Sequence, residues 1–465
     1  MRIYRSWLPA WLLATAVLPG LAQAASITVD ETTCTLSNAI TSANDDTATG
    51  GCAAGSGADT ITLATDVTLS AALPNITSTI TVEGGGHFIS GNNDSNVGSV
   101  LYNSGNLTLN KTTVKEGIAD AGGGIHNEGT LTLKNSTVSN NTGAFGGGIY
   151  SFGNATIIVT ITNSTVSNNT ASFSNPYGGG IYNEGTLLNI TNSTVSGNTA
   201  SSTAISNNSS GGGICNFYST VTITNSTISH NGIFAGATSF SGGIANFYGT
   251  VDIINSTVSD NTAASSYAAS GGGLYNEYGI FTLTNTTVSG NTASAAIGSS
   301  GGGLSNNGGF VTLYSSLVSG NIANTSGYEI FSQNGGTITA ASFNVFGHSG
   351  ESNALAFAGP DAFLPSGSDV NATSDGTATA LEVILNPTLA DNGGLTETLA
   401  LPEGSPAIDL DTTCNGGLIT TDQRGYSRPV GLGCDAGAFE YNALPVTKKG
   451  KLIPVYKLLL LKDGE

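Results

Sequence analysis

Gly178-Gly179-Gly180-Ile181-Tyr182-Asn183-Glu184-Gly185-Thr186, followed closely by Asn192-Ser193-Thr194-Val195-Ser196-Gly197-Asn198-Thr199-Ala200, decides the fold because it recurs. Copies open at Gly98, Gly122, Gly146, Gly178, Gly211, Ser241, Gly271 and Gly301, with a degraded one at Gly327, so the successive spacings are 24, 24, 32, 33, 30, 30, 30 and 26 residues. Periods of this size mark a stacked array rather than a set of independent domains. Inside one copy Leu131 and Leu133 alternate with Thr130 and Thr132, and Val138 stands between Thr137 and Ser139. That is the period of a strand, not of a helix. Glycine triplets and Ser-Gly-Asn-Thr runs punctuate these short segments, so each copy reads as two or three strands joined by turns. The expected fold is all-β: a right-handed, single-stranded parallel β-helix with a short N-terminal cap helix and a C-terminal capping module.

Composition agrees. Of 465 residues only 9% are charged, 65 are glycine and 39% are hydrophobic, which is too apolar for a disordered chain and too polar for a membrane bundle. The formal charge is -19 and would reach -21 without Arg2 and Arg5, so nucleic acid and anionic lipid are poor partners and no nucleic acid is expected. Arg2 and Arg5 precede an apolar run from Trp7 to Leu18, and Ala22-Gln23-Ala24 supplies a small-x-small cleavage pattern, so residues 1–24 read as a signal peptide. The run is too short for a transmembrane anchor, and no later stretch has spanning length. Export suits the cysteines. Cys34 pairs most economically with Cys52 and Cys414 with Cys434, while Cys215 replaces the tyrosine of other copies and reads as an ordinary stacked side chain.

Residues 25–97 hold the N-terminal cap and first irregular coils. Leu36, Ala39, Ile40 and Ala43 are spaced i, i+3, i+4, i+7, which predicts a short amphipathic helix over an open sheet end. The segment from Cys34 to Leu63, with its Cys-Thr-Leu-Ser-Asn-Ala-Ile opening and Ala43-Asn44, resembles the CSLREA segment of bacterial exported β-helix proteins, with Ser37 and Asn38 where that family carries Arg and Glu. Regular repeats occupy residues 98–346 and irregular last coils 347–385. Residues 386–441 carry Asp391-Asn392-Gly393-Gly394, Gly404-Ser405-Pro406-Ala407-Ile408-Asp409, Asp422-Gln423-Arg424-Gly425, Arg428-Pro429 and Cys434-Asp435-Ala436-Gly437-Ala438-Phe439-Glu440, which together resemble the choice-of-anchor Q domain. The two resemblances imply a pectin-lyase-like fold, similar to adhesin-type outer-membrane repeats, displayed at a bacterial surface. Arg424 and Arg428, facing Asp409, Asp422, Asp435 and Glu440, read as structural ion pairs closing the stack. Residues 442–465 form a basic and apolar tail, interrupted by Lys457, that cannot span a bilayer.

In such a stack, equivalent residues form ladders. Asn141, Asn169, Asn198, Asn231, Asn261, Asn291 and Asn321 share one position, and Asn135, Asn163, Asn192, Asn225, Asn255 and Asn285 another. Asparagine tolerates left-handed turns and its amide both donates and accepts, so these ladders are expected to be structural. A third ladder is chemically mixed: Glu128, Phe152, Glu184, Phe217, Phe247 and Glu277 lie six residues after successive repeat starts, with Tyr218, Tyr248 and Tyr278 beside the later ones. Aromatic rings next to carboxylates on a grooved wall can hold sugars, so Glu128, Glu184, Phe217, Tyr218, Phe247, Tyr248, Glu277 and Tyr278 are the candidate binding residues.

Catalysis has thin support. A lyase acting on acidic sugars requires a cation and a basic side chain, yet no Lys or Arg occurs between Lys134 and Arg424. His87, His126, His230 and His348 fall at different offsets in different copies, so no shared metal site is expected. The expectation is a secreted or cell-surface structural, adhesin-like protein without cofactor, metal or catalytic residues, with glycans or surface proteins as partners. The competing reading is a carbohydrate-active β-helix enzyme, a hydrolase using Glu128 and Glu184 or a lyase.

Overall fold

The computed structural model describes residues 24–173, 175–202, 207–365 and 367–445. The expected leader at 1–24, but for Ala24, and the tail beyond residue 445 lie outside the described residues. The chain winds into a parallel β-helix of about 11 turns. Wall 1 has twelve strands, from Ser26–Val29 to Thr337–Ser342. Wall 2 also has twelve, from Val67–Thr68 to Val370–Asn371, and wall 3 has ten, from Leu101–Asn103 to Phe357–Ala358. Twelve rungs at the strand spacing make a rod on the order of 50 Å long.

Register is what one repeat predicts. Leu131 sits over Leu107 and under Val159, Val138 over Val114 and under Val166, and Ile149 over Ile125 and under Ile181. These inward residues are aliphatic and buried, as are most of their counterparts along the three walls, and the threonines beside them on walls 1 and 2 face outward. Each such side chain stabilises the rod by about 1.5–3 kcal/mol on burial. Wall 1 alternates two inward residues per strand, and Phe281 is the largest of them.

The glycine triplet has two separate causes. Its first residue turns the chain with φ between 59° and 70° at Gly122, Gly146, Gly178, Gly211, Gly271 and Gly301, a region that disfavours side chains with a Cβ. Its third residue leaves room for an asparagine: a Cβ on Gly180 would meet the Asn198 side chain at 2.9 Å and the Gly213 carbonyl at 2.7 Å. Asn141 through Asn321 form an unbroken buried ladder in that space. Each Nδ2 donates to the Oδ1 of the next rung at 2.9–3.0 Å, and the backbone N–H of the same residue donates to that oxygen too. The second ladder works through its backbone, with Asn135, Asn163, Asn192, Asn225, Asn255 and Asn285 all at φ between 47° and 50°. A further ladder, Asn183–Asn216–Asn246–Asn276–Asn306, runs behind wall 3 with amide contacts of 2.8–3.0 Å.

Longer copies spend their extra residues on an arm. The 24-residue copy opened at Gly122 and the 26-residue copy opened at Gly301 add only the two-residue strands Thr142–Gly143 and Ile322–Ala323, whereas copies of 30 or more supply the other five strands of that seven-stranded sheet and all of a four-stranded one. Ala171, Ala200, Ile233, Ala263, Ala269, Ala293 and Ala323 give the arm a small core of its own.

Both ends differ from the repeats. A helix, α1 (Leu36–Asp45), buries Leu36, Ala39, Ile40 and Ala43, as their spacing predicts, and Thr35 caps it by accepting from the Asn38 N–H at 3.3 Å. Disulfides join Cys34 to Cys52 and Cys414 to Cys434, and Cys215 is buried between Tyr182 and Ala245 on wall 3. Three rings, Phe346, Phe357 and Phe363, meet edge to face at 5.1–6.1 Å at the C-terminal end of the rod. The block from residue 386 to 445 lies along the flank. Gln423 bridges Thr227 and Thr257 of wall 2, the Ala438 N–H donates to Thr287, and Asp411 accepts from Ser315. The expected ion pairs are present, Arg424 with Asp422 at 2.7 Å and Arg428 with Glu440 at 3.5 Å, but they knit this block together beside the rungs. Among the described residues no helix is long and apolar enough to cross a membrane.

Candidate binding groove

The mixed ladder is continuous in the structure. Phe152, Glu184, Phe217, Phe247, Glu277 and Asn307 pair in register along wall 3, and Glu128 lies one rung before Phe152. Each is the last residue of its strand, except that Glu128 follows the last, so its side chain emerges where wall 3 turns towards wall 1. Two residues earlier runs a parallel outward column of Tyr102, His126, Tyr150, Tyr182, Cys215, Ala245 and Tyr275. Rings stack along it, Tyr102 on His126 at 4.3 Å and Tyr150 on Tyr182 at 5.5 Å, until Cys215 and Ala245 make it narrow.

A cavity of about 270 Å³ opens over those rungs, lined by Tyr177, Asn208, Ser210, Phe217, Phe240, Phe247 and Glu277. Tyr177 and Phe240 come from the arm and the remaining rings from wall 3, so the groove exists because two sheets from the same coils face one another. Phe240 approaches Tyr275 at 4.8 Å and Phe247 at 6.2 Å. The polar groups are anchored. The Tyr275 hydroxyl donates to Glu277 at 2.6 Å, and the Tyr182 hydroxyl donates to Glu184 at 2.9 Å. Burial, reinforced by the adjacent carboxylates, holds both phenols well above their ordinary pKa, so they stay donors.

Tyr218, Tyr248 and Tyr278 lie outside the cavity, one position further along each rung. Their rings stack at 5.0 Å and 5.7 Å with interplanar angles of 14° and 13°, and they remain 61%, 45% and 54% exposed. All three have φ between 49° and 56°, so the turn that ends wall 3 swings them outward. Phe217 closes on Tyr218 edge to face at 4.7 Å, linking the staircase to the cavity.

Three of the expected residues, Phe217, Phe247 and Glu277, thus line one cavity, and the three tyrosines form its rim. Glu128 and Glu184 lie on earlier rungs. Glu128 stands 3.3 Å from His126, and Glu184 is held by Tyr182. Tyr177 and Phe240 were not singled out from sequence, because each precedes its triplet by one position and lies outside the repeated nonapeptide. Glu128 and Glu184 are two rungs apart, roughly 10 Å at the strand spacing, with Phe152 between them. Glu184 and Glu277 are three rungs apart, roughly 14 Å. Paired glycosidase carboxylates stand at about 5–9.5 Å across a shared bond. Set against protein-family models, curated proteins and solved structures, the chain matches none of them.

Proposed function

We propose that this chain is an exported, surface-displayed β-helix that holds glycans along the wall 3 groove and performs no chemistry on them. The observation that carries this reading is the aromatic cavity continued by a stacked tyrosine staircase at rung spacing. Sugar rings present C–H faces that pack on aromatic rings and hydroxyls that bond to fixed polar groups, and this groove offers rings in quantity with one carboxylate, Glu277. Export is supported by the two disulfides, which persist in oxidising compartments, and by the charged and apolar opening of the sequence. The CSLREA-like segment from Cys34 and the anchor-Q-like block at residues 386–441 favour a bacterial surface and an adhesin-like role.

The test is calorimetric titration of the full chain with neutral and acidic oligosaccharides, run beside a reducing-end and unsaturation assay. Binding without turnover, weakened in Tyr218→Ala and Tyr248→Ala, is expected. Turnover that disappears in Glu128→Gln or Glu184→Gln would establish the hydrolase reading instead, and failure to bind any member of the panel would remove the glycan assignment.

A further inference from the structure

The asparagine ladder has to end, and its ending is chemically unlike the rest. Every rung passes two donors, one N–H and one amide, to the oxygen of the next, so the last asparagine, Asn321, needs an acceptor that the lapsed repeat no longer supplies as Asn. Glu329 provides it. Its Oε2 accepts from Asn321 Nδ2 at 2.6 Å, and its Oε1 accepts from the Gly320 N–H at 2.7 Å. Because Leu304 pairs with Ile330, Glu329 occupies the column of the third glycine, and its side chain fills the space where a next asparagine would stand. The neighbouring hydroxyl ladder ends in the same manner, Ser316 donating to Asn344 and Asn344 to Asp369. A carboxylate is the natural terminus for a row of donors, since it accepts without having to donate onward.

Glu329 nevertheless has company that a terminus does not require. Its carboxylate, that of Glu351 and a ring nitrogen of His348 offer three donor atoms within 4.8 Å of one another. Glu329 and Glu351 are buried, and Glu351 Oε2 is buried without a hydrogen-bond partner. His348 Nδ1 lies 2.7 Å from the Ser349 carbonyl, which can only accept, so Nδ1 carries the proton and Nε2 keeps a free lone pair. That lone pair faces Glu351 Oε1 at 3.9 Å, too far for a hydrogen bond and a spacing that two ligands of one ion can adopt. An Nδ1–H held by a backbone carbonyl is the usual support of a metal-bound histidine. Two carboxylates buried side by side must share a proton or hold a cation between them.

We propose that Glu329, His348 and Glu351 bind one divalent transition-metal ion, Zn²⁺ by its donor set, at the C-terminal end of the asparagine ladder. Two carboxylates neutralise the ion, and imidazole with carboxylate suits zinc better than magnesium or calcium, which prefer oxygen alone. Three protein ligands leave a fourth position for water, which can reach the site past the half-buried His348. The ion ties the last regular coil, through Glu329, to the loop that follows wall 2, through His348 and Glu351. It thereby clamps the rod where the repeat lapses and stacking alone no longer holds the coils in register.

The full chain, stripped with chelator and dialysed, should take up one Zn²⁺ per molecule by elemental analysis and calorimetry, with a rise in Tm. Co²⁺ in its place should give visible ligand-field absorption. His348→Ala and Glu351→Gln should each weaken Zn²⁺ binding by at least about tenfold, with far-ultraviolet circular dichroism unchanged. His348 is half-buried at the edge of the cluster, so its replacement spares the core, and Glu351→Gln keeps the side-chain volume. Zinc retained equally by both variants, or no stoichiometric zinc in the unaltered chain, overturns the site and leaves a proton shared between Glu329 and Glu351 as the balancing charge.

Discussion

Two outward-facing walls of the same rod have met opposite fates. On wall 2 the column Thr137, Thr165, Thr194, Thr227, Thr257, Thr287, Leu317 and Val345 begins half-exposed and becomes buried from Thr227 onward, where the C-terminal block covers it. Its chemistry changes with the cover: hydroxyls meet Gln423 and the Ala438 N–H, and then Leu317 and Val345 join the apolar cluster of Ile384, Leu385, Leu399 and Phe439. On wall 3 the column carries rings, and the arm approaches without closing, leaving the groove. A solenoid repeats its inside because each rung must satisfy its neighbours. Its outside is free to vary, and what covers each column decides whether that column is structure or site.

The contrast can be broken most forcefully at Arg428. It is buried, donates to the carbonyls of Asp435 and Gly437 and pairs with Glu440, so Arg428→Ala strands a buried carboxylate at a cost of about 3–5 kcal/mol. The C-terminal block should then detach before the rod melts, seen as an early denaturation step and protease cleavage after residue 385; a single unchanged transition would contradict this. Replacing Cys414 and Cys434 by Ser opens a loop with a sequence separation of 20 and should cost about 3 kcal/mol in the same transition. Thr257→Val removes the partner of Gln423 Oε1 from a buried contact and should cost about 1–3 kcal/mol, with no effect on oligosaccharide binding. Equal loss of binding would mean that the two walls are not independent. At the small end, Tyr248→Ala alters an exposed ring and should change stability by no more than about 0.5 kcal/mol while lowering glycan affinity about tenfold. A large stability loss there would make the staircase structural.

Much of the architecture could be read from residues. Alternation of Leu and Thr showed the strands, the spacing of Leu36, Ala39, Ile40 and Ala43 showed the cap helix, and proximity in the chain showed both disulfides. The candidate ladder was legible as well, because residues at one offset share one column. Other features were hidden for a common reason. Tyr177 and Phe240 share one column, the position just before each triplet, but serine fills it at Ser210, Ser270 and Ser300, so the column does not read as aromatic in the sequence. The histidines, compared copy against copy, gave no shared site, while the cluster at His348 assembles where copies stop being alike. One trace of it is visible: the triplet Gly-Gly-Gly becomes Gly327-Tyr328-Glu329 in the last copy, an acid in a column that is glycine at Gly124, Gly148, Gly180, Gly213, Gly243, Gly273 and Gly303.

What the sequence by itself determined is everything that depends on a residue and its counterpart one period away: strands, left-handed turns at asparagine, the buried amide ladders and the apolar interior. Backbone geometry stacks identical offsets at a constant rise, so period translates directly into contact. Only the tertiary structure decided which outer column is covered and by what, because Gln423 meets Thr227 across 196 residues with no repeat to relate them. Complementarity between remote segments depends on shape and satisfied hydrogen bonds, and neither is written in a local pattern.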